Sequence, residues 1–132
     1  MIDEEITPDL INEVKPRLKW ITYKEIEILI QDYTGLEGDD IARIMPAMTD
    51  QILKSDKKDI LNFVDIRDSF GNKAAVNAFI KYSKIIKHLL KKTAALGVTG
   101  VKKVLLNSIN RVSSVGARAF KSDEEAKEWL IS

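Results

Sequence analysis

The sequence predicts one α/β domain with a four- or five-stranded mixed sheet, mostly parallel. Three observations lead there. ILNFVDI (60–66) is almost entirely apolar, as a strand covered on both faces must be. The chain from there to its end alternates strand with helix, ending strand ARAF (117–120) and a last helix, and short connections of that kind imply parallel neighbours joined by right-handed crossovers. Upstream, EIEILIQDY has a period of two, with Ile26, Ile28 and Ile30 on one side and Glu25, Glu27 and Gln31 on the other. That period predicts a strand with one wet face, beside an antiparallel partner or at a sheet edge.

In order along the chain, residues 1–17 read as an N-terminal arm with a short helix. Thr7 is its cap, Pro8 suits its first turn and Pro16 discourages continuation. The domain proper is expected over 18–132. LKWITY (18–23) is a candidate strand, and Gly35 and Gly38 end the next one. A helix starts near Asp39 or Asp40 with Ile41, Ile44, Met48 and Ile52 at helical spacing, and Pro46 predicts a kink or a restart. After ILNFVDI comes a long helix over roughly 72–91. TAALGV (93–98) follows as a strand adjacent to ILNFVDI. The GVTG turn (97–100) leads into a helix bearing Val101, Val104, Leu105, Ile109 and Val112. Ser122 and Glu125 form a capping box for the final helix, with Ala126, Trp129 and Leu130 facing inward and both Trp129 and Leu130 largely buried.

Composition narrows the function classes. The chain has 132 residues, 45% hydrophobic and 31% charged, enough for one globular core. No apolar run reaches the roughly 18 residues that span a bilayer. The acidic start MIDEEITPD lacks the pattern of a secretory signal, and there is no cysteine, so a cytoplasmic protein, free or peripherally bound to a membrane, is expected. Net charge is +1, but it is sorted: Arg67 to Lys121 holds 12 of the 21 basic residues and one acid, Asp68. Such asymmetry points to an anionic partner unless the folded halves cancel.

No catalytic set is visible, and an enzyme is not expected. His88 is the single histidine, which excludes a metal site built on paired imidazoles. It lies beside Lys84, Lys87 and Lys91 with no nucleophile or carboxylate at helical spacing, so a solvent-exposed role is expected. There is no G-x-S-x-G elbow and no Walker loop. The GVTG turn and the aspartates 39 and 40 read as turn and helix-start chemistry. No cofactor and no metal are expected.

The basic helix is the element most suggestive of binding. At about 100° per residue, Lys73, Lys84, Lys87 and Lys91 share one sector, flanked by Lys81, and Ile80 projects among them. Phe79, Tyr82, Ile86, Leu89 and Leu90 form the opposite, core side. An apolar residue among lysines suits an anionic membrane surface or an acidic protein partner. Nucleic acid is disfavoured, because exposed aromatics and glycine-rich loops do not accompany the lysines.

The tail resembles the C-terminal half of bacterial STAS-type domains related to the sporulation anti-sigma-factor antagonist. The likeness rests on Phe120, Glu125, Ala126, Trp129 and Leu130, after the strands around Ala94–Val98 and Ala117–Phe120. It implies a four- or five-stranded sheet wound by right-handed strand–helix units, and a binding role rather than a chemical one. Some members of that group also resemble CRAL-TRIO lipid-binding domains, which implies a carrier of an apolar or lipid-like small molecule as the alternative. Antagonists of this family carry an Asp-Ser-Ser-Gly motif whose serine is phosphorylated. Asp68-Ser69-Phe70-Gly71 looks close, but aligning ILNFVDI with the family's strand puts the motif near Gly71–Ala74, where no serine stands. Ser69 or Asp68 is therefore expected to cap the helix, and Ser69 is disfavoured as a phosphosite.

Overall fold

The computed structural model describes residue 2 and residues 4–132. Its centre is a five-stranded sheet in the order β1-β2-β3-β4-β5, with β1 Leu18–Tyr23, β2 Ile26–Asp32, β3 Ile60–Asp65, β4 Leu90–Leu96 and β5 Arg118–Phe120. β1 runs antiparallel to β2, and every other neighbouring pair is parallel. The apolar β3 is the middle strand and β4 lies directly beside it, Phe63 opposite Ala94 and Val64 opposite Ala95. Lys24 and Glu25 join β1 to β2 with positive φ at both positions (48° and 70°), a two-residue turn whose twist matches that of the strands.

Helices cover both faces. α2 (Gly38–Lys54) and α3 (Lys73–Ile86) pack on one face, where Leu29, Ile52, Ile60 and Ile86 meet. α4 (Val101–Ser113) lies beside α3 on that side. α5 (Asp123–Ile131) takes the other face, closing Ile28, Leu61, Phe63 and Leu96 under Ala126 and Leu130. α1 (Pro8–Val14) is capped by Thr7, whose hydroxyl accepts from Leu10 N, and it packs on α2 with Val14 wholly buried. No helix among the described residues is long and apolar enough to cross a membrane.

Several expectations need correction. β2 has its expected antiparallel partner, but it is wet only at its start: Glu25, Ile26 and Glu27 are exposed while Leu29 and Gln31 are buried, because β2 is the second strand and α5 and α2 cover its two sides. α2 runs through the buried Pro46 without a restart. The helix expected over 72–91 ends at Ile86. A 3-10 turn (Lys87–Leu89) follows, and Leu90 already pairs with Ile60 in the sheet. Leu-Leu-Lys-Lys suits a helix as well as a strand, and pairing along β3 decides it. Neither Ser69 nor Asp68 caps α3. Asn72 does, its side chain accepting from Ala75 N at 2.9 Å. Ser122 caps α5 as expected, accepting from Glu125 N at 3.2 Å, and Ala126 and Leu130 are buried, but Trp129 is only half-buried, its ring tilted against Phe120 with centroids 5.2 Å apart.

The N-terminal segment is held by a carboxylate. Glu4 accepts from the Lys81 ammonium and the Tyr82 hydroxyl, and these bonds hold its pKa down to about 2, from an ordinary 4.5. A depressed carboxylate stabilises the fold above the unfolded-state value and loses that contribution as pH falls through the folded one. Between pH 4.5 and about 2, stability should therefore decline less steeply in Glu4→Gln than in the parent. Chemical denaturation at several pH values measures this; identical slopes would show that the contact contributes nothing in solution.

Candidate functional site: a cavity under three helices

Alternation along the strands turns Gln31 and Tyr33 of the β2 end, Asn62 of β3 and Thr93 of β4 toward α2, α3 and α4. All four are buried, and they join in one row. The Tyr33 hydroxyl donates to Gln31 Oε1 at 3.0 Å, Gln31 Nε2 donates to Asn62 Oδ1 at 2.7 Å, and Asn62 Nδ2 donates to Thr93 Oγ1 at 3.3 Å. Burial pushes the Tyr33 hydroxyl up in pKa, so it stays a neutral donor across the ordinary pH range. Thr93 ends the row as an acceptor that still has an O–H to donate.

This row is the floor of a cavity. Its roof is Met45 and Thr49 of α2, Phe79 and Tyr82 of α3, and Leu106 and Ile109 of α4. Two features of the sequence leave the space open. Ala75, Thr93 and Ala95 are small where larger side chains would meet. In addition, α4 makes its main contact with α3 and only marginal contact with the strands, so Leu105, Leu106 and Ile109 remain half-buried. The cavity volume is about 100 Å³. A slim occupant is therefore favoured, or one that moves α4 outward. Gly71 is the exposed residue of the lining, and a side chain there would meet Leu105.

The floor offers neutral donors and acceptors and the walls offer hydrocarbon. The ionisable side chains of the lining are Tyr33, Tyr82 and Lys102, and the Lys102 ammonium donates to the Ile66 carbonyl at 3.0 Å. Among the described residues no group of acids and histidine is placed to hold a metal ion. Such a site can bind a molecule and orient one polar group of it.

The residues singled out from sequence lie elsewhere. Lys73, Lys84 and Lys87 are exposed along α3 and its 3-10 turn, but Lys81 is ion-paired with Glu4, and Lys91 stands on β4 rather than on the helix. Ile80 is half-buried rather than projecting among the lysines. His88 is exposed in the same 3-10 turn. Ser69 is buried, its hydroxyl donating to the Ile66 carbonyl at 2.6 Å, which keeps it from a kinase in this conformation. The sequence reading missed Gln31, Asn62 and Thr93; the signal that could have found them is a polar residue inside an otherwise apolar strand. No family model, curated protein or solved structure matches the chain.

Proposed function

We propose that the protein is a non-enzymatic binding domain that holds a slim apolar or lipid-like molecule between its sheet and α2, α3 and α4. The observation carrying this reading is the buried Tyr33–Gln31–Asn62–Thr93 row at the floor of an otherwise apolar cavity. Ligand sites of small molecules are apolar clefts with a few fixed polar groups, and the arrangement has that form. Because the row is uncharged, it suits a ligand with one neutral hydrogen-bonding group, such as a hydroxyl or amide, better than a buried carboxylate. The alternative function, docking of a protein partner or anionic surface on the α3 lysines, would favour a filled core beneath a flat basic face. Here the core is not filled and Lys81 is already paired. The STAS-type resemblance, with its CRAL-TRIO-like relatives, agrees with a small carrier in the cytoplasm or at a membrane surface.

Binding of Nile red, followed by its fluorescence, tests the reading. The probe should bind in the cavity and be displaced by a long-chain primary alcohol. Leu106→Trp, which puts a ring into the space from α4, should weaken binding about tenfold or more by filling the site. Probe binding that Leu106→Trp leaves unchanged, in a protein that still melts cooperatively, would refute it.

A further inference from the structure

We infer that α4 and the adjoining Phe70 form a docking face for an anionic lipid bilayer. Five large hydrophobic side chains are exposed among the described residues: Val101, Val104 and Val112 of α4, Phe70, and Ile26. A single exposed apolar residue such as Ile26 is ordinary, whereas three on one side of a single helix are not, and Phe70 adjoins Gly71, which lies against Leu105 of that helix. Val101, Val104 and Val112 are 74%, 65% and 51% exposed and fall on one side of the helix, a row about 16 Å long at 1.5 Å per residue. Valine is a poor helix former, so helix propensity does not account for three of them in water. Phe70, 63% exposed, precedes Gly71 of the cavity lining.

Charge selects the partner. α4 carries Lys102, Lys103 and Arg111 and no acid. Lys102 is engaged with the Ile66 carbonyl, while Lys103 and Arg111 form no ion pair among the described residues. Two acids adjoin Phe70, Asp68 two residues before it and Glu37 bridged to it, whereas α4 itself carries only cations. The cations ask for an anionic partner and the apolar row asks for hydrocarbon, which a nucleic acid backbone does not supply. An anionic bilayer supplies both, the valines at the headgroup boundary and the cations on phosphate. The face differs from the α3 lysine sector and stands whether or not the cavity is occupied.

Flotation with phosphatidylcholine vesicles, with and without phosphatidylserine, tests this. The parent should float with the anionic vesicles and release as salt rises, since the Debye length shrinks to about 3 Å at 1 M. Val101→Asp with Val104→Asp, and separately Lys103→Glu with Arg111→Glu, should each lower the bound fraction about tenfold or more. Lys84→Glu on α3 with Lys87→Glu in the 3-10 turn after it should change it less than about twofold. Should the aspartate pair unfold, Val101→Ser with Val104→Ser replaces it, since these side chains are exposed. No flotation at low salt overturns the inference, as does loss confined to the Lys84 and Lys87 pair. Light scattering that shows a dimer dissolved by the valine pair overturns it too, assigning the face to a second copy. Nile red binding, read separately, reports on the cavity alone.

Discussion

Leu130→Ala should destabilise the domain by about 3–4 kcal/mol, and Trp129→Ala by only about 2. The order is the reverse of what residue size suggests, and it follows from where α5 points. Leu130 is 1% exposed and packs, with the fully buried Ala126 four residues earlier, onto Ile28, Leu61 and Phe63. Its removal leaves a void under the middle of the sheet that the strands cannot collapse to fill. Trp129 lies at the margin, tilted against Phe120, with the cations of Lys92 and Arg118 over its ring, 5.0 Å and 5.6 Å from its centroid. Truncating it re-exposes surface that is already partly wet. The Lys92 ammonium also donates to the Trp129 and Ser132 carbonyls at 2.9 Å, so the helix end stays fastened without the ring. Urea denaturation of the two variants measures the difference, and a Trp129→Ala loss exceeding that of Leu130→Ala would show that the ring is the real anchor.

Sequence patterning was informative where burial is uniform. β3 lies between two parallel neighbours and under helices on both faces, so its apolar run and its adjacency to β4 could be read directly. The Ser122 cap was legible for a local reason, because a hydroxyl three residues before Glu125 N needs nothing from elsewhere in the chain. Legibility failed where tertiary context overrides local preference. Gln31 read as solvent-facing because glutamine usually is, whereas here Tyr33 and Asn62 satisfy its amide inside the protein. Ser69 read as a helix cap because it precedes a helix, yet its chain turns at Asp68 (φ 56°) and leaves Asn72 at the capping position.

The cavity was harder to anticipate than the sheet. Val101, Val104, Leu105, Ile109 and Val112 have the apolar spacing of a core helix, and nothing in that spacing says that α4 stands off the strands. The cause is distributed over facing elements: small side chains at Ala75, Thr93 and Ala95, and an inner side of α4 held mainly by α3. The sorted charge was visible in the sequence, but its partners were not. Glu4 and Lys81 are 77 residues apart and meet only after folding.

The polar row gives the second large effect, and it separates a structural role from a binding one. Asn62→Leu should cost about 2–4 kcal/mol, because it removes the acceptor of Gln31 Nε2 and the donor to Thr93 while both remain buried. Gln31→Leu alone leaves the Tyr33 hydroxyl and Asn62 Oδ1 without their partners, at a similar cost. The two residues share one bond, so the double replacement should cost less than the sum of the single ones, by about 1–3 kcal/mol. Equal, additive losses in urea would mean that the row is not formed in solution. The ligand comparison then follows from the same variants. A cavity floored by Gln31 and Asn62 should bind a long-chain alcohol more tightly than the alkane of equal length, since the hydroxyl replaces the water bonds it gives up. In the doubly substituted protein that preference should vanish or reverse, while the affinity for the alkane holds or rises. An alcohol preference that survives the double substitution would place the ligand's polar group somewhere other than on this row.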